Sequence, residues 1–175
     1  MLVNLTDVFL KEGKVLEQSI PYEKDEFCLA IGKFKIKEAS KVSLKLSNLG
    51  PSKALIEGNA SITVAMRCDR CLQDVDHTFD LTFCEEVFSP DKAIEAGEDE
   101  EENNFMDGFN LDTDVLVENE ILLNWPMKIL CKEDCKGICK VCGKNLNDGD
   151  CGCDDFVPDP RMAAIKDIFN ANKEV

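Results

Sequence analysis

Arginine is scarce in this chain of 175 residues: Arg67, Arg70 and Arg161 are the only three. Lysine brings the basic total to 20 against 35 acidic residues, for a net charge of −15 and a pI of about 4.4. A broad electropositive face of the kind that coats duplex DNA is thereby excluded. Any nucleic-acid contact has to be local or made through a basic partner. Histidine occurs once, at His77, so Cys–His nucleophilic chemistry has a single candidate base and no exposed, acidified thiol marked beside it. No phosphate-binding loop, Gly-rich dinucleotide turn or HExxH pattern is present. No run approaches the roughly 18 apolar residues of a membrane span. Met1 to Asp7 has neither a basic nor an apolar segment of the secretory kind. The expected location is cytoplasmic, with no membrane and no DNA partner.

What is present in quantity is cysteine, ten residues in all. In a reducing compartment, such a number points to metal ligands or working thiols before structural disulfides. Hydrophobic residues make up 44% of the chain, enough for a core without crosslinks.

Charge and periodicity divide the chain. Residues 85–120 hold fourteen acids against Lys92 alone, peaking at Glu98-Asp99-Glu100-Glu101-Glu102. That block reads as a solvated loop or as an acidic arm for a basic protein or Mg²⁺. Before it, apolar residues alternate. Phe34 and Ile36 are interleaved with Lys33, Lys35 and Lys37, and Val42, Leu44 and Leu46 with polar neighbours. Ile56, Gly58, Ala60, Ile62, Val64 and Met66 form one face of a long run, and Phe79, Leu81 and Phe83 follow. Period-two alternation is the mark of a half-buried antiparallel sheet. After the block, Asp112-Thr113-Asp114 offers caps for a helix whose stripe is Leu111, Val115, Leu122 and Trp125, stopped by Pro126. Asp159-Pro160 opens a last helix with the stripe Met162, Ile165 and Phe169. The expected fold is α+β: an antiparallel sheet, open or barrel-like, over 1–90, an acidic loop over 91–110, a helix packed on the sheet over 111–130, and a cysteine-rich segment with the last helix over 131–175.

Residues 131–158 hold six cysteines and few apolar side chains, so burial alone cannot fold them. Tetrahedral zinc wants four soft ligands, often delivered as close pairs on single turns. Cys139-Lys-Val-Cys142-Gly143 has the form of a zinc knuckle, and Cys151-Gly-Cys153 supplies a second pair. Cys68-Asp-Arg-Cys71 between two strands, with Cys131 and Cys135, would complete a second four-sulfur site and staple the sheet to the tail. One alternative places Cys135 in the first site. Cys28 and Cys84, each among apolar neighbours, are expected to be buried small hydrophobes. A CxxC redox centre would need a helix start or a βαβ setting, and neither pair has one. Arg67 and Arg70 flank the Cys68/Cys71 pair. They read either as charge compensation for thiolates or as a small phosphate-contacting tip, with Lys33, Lys35 and Lys37 as a second strip for RNA or a partner.

Taken in order, Cys68-Asp-Arg-Cys71-Leu72, Glu118-Asn-Glu120-Ile-Leu-Leu123 leading to Trp125-Pro126, Cys131, Cys135-Lys-Gly-Ile-Cys139-Lys-Val-Cys142-Gly143 and Asp159-Pro160-Arg161 resemble the YceD family of large ribosomal RNA subunit accumulation proteins. The resemblance runs from about residue 10 to 170. Its cysteine-rich tail resembles the version found in some branches of the family, of which other branches lack most. The resemblance implies a cytoplasmic, non-catalytic protein needed for synthesis, processing or stability of large-subunit (23S) ribosomal RNA. The implied partner is the RNA precursor or a basic large-subunit ribosomal protein. The alternatives are a thiol- or zinc-dependent enzyme and a protein-interaction module with no RNA role.

Overall fold

The structure, a computed structural model, describes residues 1–29, 32–92 and 104–153. The acidic peak at Glu98 to Glu102 and the last helix with Asp159-Pro160-Arg161 lie outside the described residues. The chain forms two compact units, one of Met1–Arg67 with Asp74–Ile129 and one of Cys68–Gln73 with the chain from Leu130 onward.

The first unit is built around one long strand. β6 (Lys53–Arg67) pairs along its whole length with β7 (Asp74–Phe88), both antiparallel. Its other edge is shared. The first half pairs with β5 (Lys41–Gly50) and the second half with β4 (Gly32–Ala39). β2 (Val15–Pro21) flanks β5, and β3 (Glu26–Leu29) flanks β4. Among the described residues β7 pairs only with β6, and β2 and β3 end the other side. The sheet is therefore open and branched, not closed into a barrel. A second sheet joins β1 (Leu2–Asn4), β9 (Asn110–Asp112) and β8 (Met106–Asp107), and a short helix α1 (Thr6–Leu10) follows β1.

The alternating runs place their apolar phase on one face. Val42, Leu44, Leu46, Ile56, Ile62, Val64, Phe79, Leu81 and Phe83 are all buried in a single core. Gly58 sits in this phase because no side chain fits. A Cβ there would stand 2.5 Å from the Phe83 ring and 2.7 Å from the Ser43 carbonyl oxygen. The same alternation corrects one expectation. Cys28 and Cys84 are exposed. Each follows a buried phenylalanine, Phe27 and Phe83, so the pleat turns it to the opposite face. Apolar neighbours in sequence are not neighbours in a strand.

Helix α2 (Thr113–Leu123) covers the core. Asp112 caps it, its carboxylate accepting from the Asp114 and Val115 N–H groups. The helix ends at Asn124, whose N–H reaches the Glu120 carbonyl, and Pro126 cannot continue it. The buried face is Leu116, Val117, Glu120 and Ile121, while Leu122 is 47% exposed. Leu111 belongs to β9. Of the stripe expected from the sequence, Leu111, Val115 and Trp125 pack in or against the core and Leu122 does not, while the buried Glu120 interrupts the apolar pattern of the helix. Trp125, just past the helix, sits among three phenylalanines, with ring centroids 4.8 Å from Phe34, 5.8 Å from Phe79 and 6.5 Å from Phe27.

Glu120 is the anomaly of this core. It is buried and makes no side-chain hydrogen bond among the described residues. Burial raises its carboxyl above the ordinary 4.5, and the nearby Glu85 carboxylate raises it further. A carboxyl whose folded value is raised favours the fold below its unfolded value, and that advantage is lost as pH rises through the folded value. At neutral pH, Glu120→Gln is therefore expected to stabilise the protein. A rise in Tm of about 2–4 °C corresponds to about 1 kcal/mol at this size. Melting curves across pH should show the advantage at pH 7 and its disappearance near pH 4, where the wild-type carboxyl is protonated.

Candidate metal centres

Both centres lie in the second unit, and each begins with the same turn. In Cys68-Asp-Arg-Cys71-Leu72, the Leu72 N–H donates to the Cys68 carbonyl at 2.9 Å, and the Cys68 N–H donates to the Gln73 carbonyl at 2.8 Å. In Cys139-Lys-Val-Cys142-Gly143, the Gly143 N–H donates to the Cys139 carbonyl at 2.9 Å, and the Cys139 N–H donates to the Lys144 carbonyl at 2.8 Å. The residue after the second cysteine is left-handed in both, with φ of +61° at Leu72 and +75° at Gly143. This position favours glycine. The leucine there hides the first turn from a search for the CxxCG form.

Each turn presents two sulfurs, and a second pair meets them. Cys68, Cys71, Cys131 and Cys135 form one group, and Cys139, Cys142, Cys151 and Cys153 the other, with the sulfurs within 4.8 Å of one another. These are the two sets the spacing predicts, and Cys135 stands in the Cys68 group. Four sulfurs about 2.3 Å from a common zinc ion lie about 3.8 Å apart in a regular tetrahedron. Cys68 and Cys135 are 3.8 Å apart, and Cys71 and Cys131 are 3.5 Å apart. The residues therefore fit a tetrahedral dication with soft-ligand preference.

The electrostatics agree. Burial pushes the Cys68 thiol up, but backbone N–H groups of Cys71, Arg70 and Cys131 outweigh it and bring the thiol down to about 6. The Cys139 thiol falls to about 7 because the Cys142 and Val141 N–H groups point at its sulfur. Cys131 is pushed up to about 12, by burial and then by the neighbouring sulfurs, and Cys153 to about 12 chiefly by Cys142 and Cys151. Cys135 is lowered as well, chiefly by the Asn147 amide, whereas Cys71 and Cys151 are raised, so each group favours some thiolates and resists others. A bound dication removes that resistance and ionises all four thiols. Four protein ligands would fill a tetrahedral coordination sphere, as they do in structural zinc sites.

Asn147 is a site residue that ligand spacing does not reveal. Its Nδ2 donates to the Cys135 sulfur at 3.3 Å and its Oδ1 accepts from the Lys136 N–H at 2.9 Å. It belongs to the 3-10 turn Leu146–Asp148, inside the loop that joins the two cysteine pairs of the other group. An outer-shell donor of this kind fixes the ligand it touches. Arg70 also serves the centre, its guanidinium donating to the Cys135 carbonyl at 2.8 Å. Gly137 lies against it, where a Cβ would come 3.1 Å from the Arg70 carbonyl oxygen.

The other proposed contacts lie in the first unit. Lys33, Lys35 and Lys37 are exposed on β4. Arg67 ends β6 and stands 3.9 Å from the Asp74 carboxylate. Across β6 from the lysine strip runs an acidic one, for Lys35 is opposite Ala65 and Ala65 opposite Asp76. The basic strip is therefore half of a mixed-sign face. His77 is half-buried on β7 with its ring against Phe79, and it belongs to neither sulfur group. No helix among the described residues is long and apolar enough to cross a membrane.

Residues 56–169, well over half of the chain, match the family model described as large ribosomal RNA subunit accumulation protein YceD. Proteins described as uncharacterized, from Mycobacterium bovis and from two strains of Mycobacterium tuberculosis, are 26% identical over 92 residues, covering 53% of this chain. The chain spans 44% of the length of these relatives in that match. No solved structure matches at the same level of significance.

Proposed function

Since the chain belongs to the YceD family of large ribosomal RNA subunit accumulation proteins, we propose that it is a non-catalytic cytoplasmic factor for accumulation of 23S ribosomal RNA during large-subunit biogenesis. The observation that carries this reading is the family match from Ile56 on β6 through both knuckles. Two features support the non-catalytic part. Both sulfur groups are closed sets of four, and the lone histidine lies in neither. In this reading structural zinc holds Cys68–Gln73 and Leu130–Cys153 folded, and supplies no reaction. The net charge of −15 opposes broad contact with RNA, since phosphate binding depends on counterion release by lysine and arginine. Contact is therefore confined to a small basic surface, or made through a basic ribosomal protein that the acidic block attracts.

The test is sedimentation of the tagged chain from lysate at low and high salt, with and without ribonuclease, together with the 23S level after depletion. Co-migration with large-subunit precursors, weakened by salt, and a fall in 23S RNA are expected. A chain that stays with free protein in every condition, with 23S unchanged on depletion, would refute the reading.

A further inference from the structure

The segment from Cys135 to Lys140 alternates strictly in burial. Cys135, Gly137 and Cys139 are buried, and Lys136, Ile138 and Lys140 are exposed. One inward cysteine belongs to each sulfur group, so the segment is a bridge pinned at both ends. Its middle is pinned as well. The Gly137 carbonyl accepts from the Leu146 N–H at 2.8 Å, and Ile138 pairs with Asn145. The outward side chains are therefore held on a fixed backbone, facing away from the sulfurs.

Two properties single out this face. Lys136 and Lys140 have no ion-pair partner among the described residues, whereas Lys132 approaches Asp134 at 4.0 Å and Lys144 donates to the Asp150 carbonyl at 3.1 Å. Beside the two lysines, Ile138 is 37% and Val141 54% exposed. Unpaired cations interleaved with apolar side chains, in an otherwise strongly acidic chain, complement a ligand with a charged backbone and apolar faces. Ile138 lies midway between the two lysines in the chain. The lysines of β4 lack this character. Glu26 stands directly opposite Lys35 on β3, and the acids of β7 lie across β6 from the strip.

We propose that Lys136, Ile138, Lys140 and Val141 form an RNA-binding strip, the lysines contacting phosphates and the two apolar side chains lying against bases or riboses. The proposal rests on the ribosomal-RNA reading above and locates its RNA contact on the metal-pinned bridge. The test uses the full zinc-loaded chain and a fluorescein-labelled single-stranded RNA of about 20 nucleotides, longer than the site of one binding module. Anisotropy is read over a salt series. Lys136→Ala with Lys140→Ala should weaken binding about tenfold and lower the slope of log K against log salt by about 1.4, the value for two lost phosphate contacts on a single strand. The variant should keep its zinc, and Lys136→Arg with Lys140→Arg should keep its affinity. Undiminished binding by the alanine pair, with loss on Lys33→Ala, Lys35→Ala and Lys37→Ala, overturns the strip and moves the contact to β4. Absence of RNA binding by the wild type also overturns it. In either case the ribosomal reading is judged separately by the 23S level after depletion.

Discussion

The purified chain is expected to carry two zinc ions, and their removal is expected to unfold residues 68–73 and 130–153. The described part of this unit has few apolar side chains, and Ile138 and Val141 are exposed, so little but the sulfur groups can hold it. Structural zinc contributes about 10–16 kcal/mol in small finger peptides, more than the 5–15 kcal/mol or so that stabilises a whole domain. Metal analysis should give two zinc ions per chain for the wild type and one each for Cys135→Ser and Cys142→Ser. Hydrogen exchange after chelation should show protection lost over 130–153 and kept in β5, β6 and β7. A chelated chain that stays protected over 130–153 would show that something other than metal holds it. The two ions should leave at different rates. Cys68, Cys71 and Cys135 are buried, whereas Cys142 is exposed and Cys151 and Cys153 are half-buried, so a thiol reagent should release the second ion first. Acid should release both, because every ligand must be a thiolate to bind.

Much of this was legible in the sequence, and the reasons differ by feature. Period-two alternation located β4 to β7 because one face of each strand is buried, and that is the condition under which alternation is written into sequence. The two ligand sets followed from close pairing, since one tight turn delivers two sulfurs whatever the rest of the fold does. The branching of β4 and β5 along one edge of β6 could not be read, because register on a shared edge depends on strand length and on the bulge between Ile36 and Glu38. Helix α2 was recognisable from Asp112 and Pro126, but the whole of its buried face was not. Glu120 occupies a core position where a polar residue argues for the surface. Asn147 was hidden for another reason. Its role depends on one loop returning to a different group of cysteines, and no local pattern records that return.

Trp125→Ala is expected to be the most damaging single substitution in the first unit. The residue follows α2 directly, and its ring touches side chains of β3, β4 and β7 through Phe27, Phe34 and Phe79. Edge-to-face and offset arrangements of this kind add to the area such rings bury. Truncating a packed tryptophan costs about 3–5 kcal/mol, which lowers Tm by about 10 °C in a chain of this length. Trp125→Phe keeps a ring between Phe34 and Phe79 and should lose about 1.5 kcal/mol or less. Calorimetry on zinc-loaded protein checks both, and zinc content should remain two per chain, since no ligand is touched. Trp125 is the single tryptophan, so in the wild type its fluorescence should report the melting of this cluster directly. A loss below 1 kcal/mol for the alanine variant would mean that the three phenylalanines pack without it. In that case the Trp-Pro pair after α2 would matter for ending the helix and not for holding it to the sheet.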